Sequence, residues 1–120
     1  MMNPYQQYKQ QSVATMSPAQ MVIALYDKAE QETNKAIYYI ENNQTEKASN
    51  SILKVQDIVA FLDSSLKMQY EIAGNLASLY QFFFYQLLQA NISKDKDILK
   101  NLLRYFAELK DAFTQISRKG

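Results

Sequence analysis

Between Ile72 and Ser93 the chain runs IAGNLASLYQFFFYQLLQANIS without a charged residue, and its spacing predicts a helix. At about 100° per residue, Leu76, Leu79, Tyr80, Phe83, Leu87 and Ala90 fall on one stripe facing a core. Phe82 and Tyr85 project on the opposite side, among Ser78, Gln81 and Gln89, where a monomeric bundle would place charge. This helix is therefore expected at the centre of the fold, with the other helices around it and apolar surface left over. The amides and hydroxyls of Asn75, Ser78, Gln81, Gln86, Gln89 and Asn91 argue against a membrane span.

Three more periodic segments surround it. Ser17, Pro18 and Gln20 give the N-cap, the N1 proline and the capping-box partner of a first helix, with Met16 against Met21 as a hydrophobic staple. Val22, Leu25, Tyr26, Ala29, Thr33, Ala36, Ile37 and Ile40 share one face, and the helix is expected to stop near Glu41 or Asn42. A second helix is capped by Asn43 or Thr45, with Glu46 three residues after Asn43 as a second capping box. Its stripe of Ala48, Ile52, Val55, Val59, Leu62 and Leu66 has the spacing of shallow antiparallel packing. Ile58, Phe61, Ser65 and Met68 form a surplus row on another side. After a join at Asn91–Asp95, where Ser93 or Asp95 can cap, the last helix carries Leu99, Leu102, Phe106, Leu109, Phe113 and Ile116 on one stripe. Short links force neighbours to run antiparallel, so the expected fold is all-α, an antiparallel four-helix bundle over residues 16–120. Residues 1–15 show no period and are expected to be a flexible N-terminal segment, or one that lays Tyr5 and Tyr8 into a groove on the domain.

Composition sharpens this reading. Two Gly and two Pro in 120 residues leave little to break long helices. Thirteen basic and twelve acidic residues sum to +1, which gives no electrostatic reason to expect nucleic acid or anionic lipid as a partner. The absence of cysteine fits a reducing compartment, and MMNPYQQYKQQ lacks the basic start and apolar run of a secretory signal, so a cytoplasmic location is expected.

Candidate chemistry is sparse. Without His or Cys, phosphotransfer, di-iron Glu-x-x-His pairs, Ser-His relays and soft-metal sites are all excluded. Asp27, Glu30, Glu41, Asp57, Asp63, Glu108 and Asp111 lie mostly off the core stripes and read as a solvated face. No cofactor, metal or catalysis is expected, and a binding module is favoured over an enzyme or ligand carrier. Ile58, Phe61, Met68, Phe82 and Tyr85 are the candidate contacts, forming a groove for a partner's amphipathic helices. The competing readings are an irregular bundle that buries some of them, and a homodimer or adaptor seam.

Three segments also carry a family resemblance. ATMSPAQMVIALYD (Ala14–Asp27), after a Tyr-rich opening, EIAGNLASLYQF (Glu71–Phe82) and LLQANISKDKDIL (Leu87–Leu99) together resemble the FliS family of flagellar secretion chaperones. The chain departs from the family pattern at Gln69-Tyr70, where Gly-Gly is common, at Gln81-Phe82, where Asp-Tyr is usual, and at Phe113, where Trp is frequent. The resemblance implies a bundle that binds the disordered carboxyl-terminal region of flagellin in the cytoplasm, prevents premature polymerisation and delivers its client to the type III export apparatus. It also implies that the amino-terminal segment, with Tyr8, acts as a lid on the client groove. Tyr26, Tyr80 and Asn91 are motif positions that shape or line the site; for the two tyrosines, which also sit on core stripes, buried packing is the equal alternative.

Overall fold

The computed structural model describes residues 17–66 and 73–119. They form four helices, α1 (Pro18–Glu41), α2 (Thr45–Ser64), α3 (Ala73–Ser93) and α4 (Lys96–Lys119), in the expected four-helix bundle. The helices pack in a ring, α1 on α2, α2 on α3, α3 on α4 and α4 back on α1. None of these four helices lies at the centre. α1 has the broadest interfaces, and α3, expected there, has narrower ones, with α2 and α4. A run without charge looks like a fully buried helix, but amides and aromatic edges on its outer side allow α3 to be one corner of four.

The first helix begins as its sequence requires. Ser17 Oγ accepts from the Gln20 amide at 3.1 Å, and Gln20 Oε1 accepts from the Ser17 amide at 2.9 Å. Two of the orphan donors at this helix start are thereby satisfied. Ser17→Ala is expected to cost about 1 kcal/mol in urea unfolding; a loss below a few tenths would mean that this end contributes nothing to the folded state. The staple partner Met16 lies outside the described residues.

The link from α1 to α2 corrects the expected cap. Asn43 has φ 60°, its amide donates to Ile40 O, and the Gln44 amide donates to Tyr39 O at 2.8 Å. This is the paired bonding of a left-handed helix stop, a conformation Asn tolerates better than most residues. Asn43 therefore closes α1 and is not available to cap α2. Thr45 lies inside α2, whose N-cap residue Gln44 makes no side-chain capping bond. The α3–α4 link repeats the stop: Lys94 has φ 53° and the Asp95 amide donates to Ala90 O. Asp95 then caps α4, its Oδ1 accepting from the Asp97 amide at 2.9 Å.

The core follows the four stripes. Leu25, Tyr26, Ala29, Ala36, Ile52, Val55, Val59, Leu62, Leu76, Tyr80, Phe83, Leu87, Leu99, Leu102 and Phe106 are buried together. Toward the end of α4 the stripe opens: Leu109 and Phe113 are partly buried, and Ile116 is exposed. Lys110 ties α4 to α1 through Glu30 at 2.7 Å and Asp27 at 3.4 Å. At the other end Lys96 meets Glu41 at 3.3 Å. No helix among the described residues is long and apolar enough to cross a membrane.

Candidate functional site

α3 presents two faces because its apolar residues do not keep to one stripe. Leu76, Tyr80, Phe83, Leu87 and Ala90 are buried. On the outer side Phe82 is 37% exposed, Tyr85 54%, Leu88 52% and Ile92 71%. Four large apolar side chains on one solvent-facing helix surface are more than a monomer needs to expose. The Phe82 ring meets Tyr105 of α4 edge to face at 5.6 Å, which anchors one flank of this surface. On the other flank Gln81 Nε2 donates to Asp63 of α2. The antiparallel register set by that bond brings exposed Leu53 of α2 level with the 88–92 segment of α3.

Phe82 and Tyr85 therefore lie together on an open surface. Phe61 is partly buried and packs against the core, so it is not one of the open contacts of this face. Ile58 is 1% exposed and belongs to the core, which corrects its assignment as a groove contact. α2 buries an arc against α1 as well as against the centre, and Ile58 falls in that arc. Tyr8 and Met68 lie outside the described residues, as does the amino-terminal segment.

Tyr26 and Tyr80 are buried, and their hydroxyl oxygens lie 2.5 Å apart, one donating to the other. They join α1 to α3 across the bundle's diagonal, where among the described residues the two backbones make no close approach. Burial pushes both phenols above their ordinary value, and each also feels the other's hydroxyl. Their place is thus internal, and neither can touch a partner without the bundle opening. Asn91 is half-buried and accepts from Lys94 Nζ through both its backbone and side-chain oxygens. Lysine has no intrinsic preference for the left-handed region, so Asn91 holds the turn that starts α4.

Three features escaped the sequence reading. Leu88 and Ile92 extend the Tyr85 row by three and seven residues, a signal that was there to be used. Leu53 stands alone on its helix and carried no such signal. Glu32 belongs to none of the apolar stripes, yet it is 1% exposed. Its Oε2 meets Lys28 at 3.2 Å and Lys35 at 3.3 Å. Burial alone would raise this carboxyl, but the bond to Lys28 and the charges of Lys28, Lys35 and Lys54 outweigh it and hold the group below the usual range.

Among the described residues no cluster of His, Cys, Asp or Glu could hold a metal ion. The site is an apolar surface, and what it can do chemically is bury another apolar surface.

Comparison with known proteins agrees in kind. The family model described as flagellar protein FliS matches residues 1–120. The flagellar secretion chaperone FliS of Bacillus subtilis (strain 168) is 30% identical over 113 residues, covering 94% of this chain and 85% of the relative. The protein of the same name from Salmonella typhimurium is 28% identical over 115 residues, covering 91% and 83%. That of Vibrio cholerae is 38% identical over 65 residues, covering 52% and 48%.

Proposed function

We propose, since the chain belongs to the FliS family of flagellar secretion chaperones, that it binds the disordered carboxyl-terminal region of flagellin in the cytoplasm. Binding holds the client back from premature polymerisation and presents it to the flagellar type III export apparatus. The observation that carries this reading beyond the family is the exposed row of Phe82, Tyr85, Leu88 and Ile92 on α3. A disordered client with amphipathic segments loses ordering entropy when it binds, and a long apolar helix face offers the area that offsets it. In this reading the chaperone acts by stoichiometric binding, since burial of one apolar face on another makes and breaks no covalent bond. The amino-terminal segment with Tyr8 would cover the same face when no client is bound.

The test is a calorimetric titration of the full chain with the carboxyl-terminal segment of flagellin from the same cell. Saturable 1:1 binding with a negative heat-capacity change is expected. Phe82→Asp with Tyr85→Asp should weaken it at least ten-fold while circular dichroism and melting stay near wild type. Phe61→Asp, by contrast, should destabilise the bundle, because the ring packs against the core. Unchanged affinity in the Phe82/Tyr85 double variant would remove α3 as the client face. A stable dimer whose mass is unaltered by client would favour the homodimer reading instead.

A further inference from the structure

The groove between α1 and α2 has a different character from α3. Lys28 and Lys35 are one heptad apart on α1, and Lys47 and Lys54 are one heptad apart on α2. Three of the four converge on Glu32: Lys28 and Lys35 by ion pairs, and Lys54 through its field. Lys47 lies over the Tyr39 ring, 5.9 Å from its centroid, so its level on the groove is that of Tyr39. With α1 and α2 antiparallel, the four lysine positions alternate between the two helices, roughly one helical turn apart along the backbone, while the Lys28 and Lys35 ammonium groups draw together on Glu32 Oε2. The same heptad steps continue to Met21 on α1 and Phe61 on α2, both partly buried against the core. The result is a line of four lysines ending in an apolar pair.

Facing helices in a bundle ordinarily place opposite charges along such a seam. Here Glu32 is the one carboxylate ion-paired to the line, and Lys47 and Lys54 close no salt bridge among the described residues. Lys47 and Lys54 are exposed. A local excess of positive charge stands out in a chain whose formal net charge is +1.

We infer that the α1–α2 groove docks an amphipathic helix of a second partner protein, one whose contacting stripe carries carboxylates spaced by one to two turns and an apolar residue at the end nearest Met21 and Phe61. The occupant is not this chain's own amino terminus, because residues 1–16 contain Lys9 and no acidic residue. A second copy fits poorly, since the outward positions of α4 mix signs at Asp97, Lys100, Arg104, Glu108 and Asp111. The linear arrangement in a groove, bordered by Tyr39 and Phe61, suits a rod-like helix better than a lipid plane. It lies on the far side of α2 from the exposed row of α3, so both surfaces can be occupied together.

An NMR titration of the isotope-labelled full chain tests this, using a synthetic helical peptide with Glu on successive turns of one stripe and Leu at its end. Shift changes should be confined to α1 and α2 between Met21 and Phe61, and binding should weaken as salt rises. Lys47→Glu with Lys54→Glu should lower affinity at least ten-fold, and the milder Lys47→Gln with Lys54→Gln should lower it measurably if the reversal disturbs folding. Shift changes on α3, none up to millimolar peptide, an equal response to the peptide with Lys in place of Glu, or indifference to both double variants would each overturn the assignment. So would preferential binding of anionic vesicles over the peptide.

Discussion

Phe83→Ala is expected to cost about 3 to 5 kcal/mol in denaturant unfolding. Phe83 has no exposed surface. Its ring meets Phe106 edge to face at 5.2 Å and Tyr105 at 5.6 Å, and lies tilted against Tyr80 at 6.1 Å. These contacts come from α3 and α4, so the ring holds together the helix pair with the narrower interface. Removing it takes away the transfer energy of the ring and leaves a cavity that the neighbouring aromatics can fill only by shifting from their packed positions. Against a typical total of about 5 to 15 kcal/mol, such a loss moves the denaturant midpoint far down. Phe82→Ala, one residue away and 37% exposed, should cost about 1 kcal/mol or less. Equal losses for the two would show that α3 is rotated from the orientation described.

The second large effect is a steep loss of stability in alkali. Tyr26 and Tyr80 are neutral when protonated, and burial raises both above the value of about 10 that they have in the unfolded chain. Their contribution is fully present below pH 10. Above it the unfolded chain releases both protons while the folded bundle keeps them, so stability falls as pH rises. Two such groups give a limiting slope of about −2.7 kcal/mol per pH unit. Tyr26→Phe should remove about half of this slope, and Tyr26→Phe with Tyr80→Phe nearly all of the tyrosine share. Lys110, whose value is raised first by its bond to Glu30, adds a further loss above its own unfolded value. Chemical unfolding between pH 9 and 11 reads the slope directly. A slope that the double variant leaves untouched would mean that the hydroxyl pair is not kept from water.

Both effects depend on residues whose burial could be read from spacing. The intervals of three and four in Leu25, Ala29, Ala36, Ile52, Val55, Val59, Leu76, Phe83, Leu99, Leu102 and Phe106 need only the pitch of a helix to assign a core face. The start of α1 was legible for a similar reason, since the bonds of a capping box join residues three apart. Scarce Gly and Pro then left a bundle as the only economical arrangement. Interactions within one helix turn, or along one face, are carried by the local sequence.

What the local sequence does not carry is how wide an arc each helix loses to its neighbours. Ile58 and Phe82 both sat on surplus rows, yet one is sealed and the other open, because α2 is flanked closely by α1 whereas the outer side of α3 faces solvent. Asn43 had the chemistry of an N-cap, and the backbone bonds of the preceding helix stop took it first. Glu32 looked like any surface acid until α2 brought Lys54 beside it and covered it. Helix identity, core stripes and the α1 cap were thus determined by the sequence alone, being set by pitch and near-neighbour bonds. The place of α3 at a corner, the diagonal tyrosine pair and the lysine line along α1 and α2 were decided only when antiparallel packing set residues distant in sequence side by side.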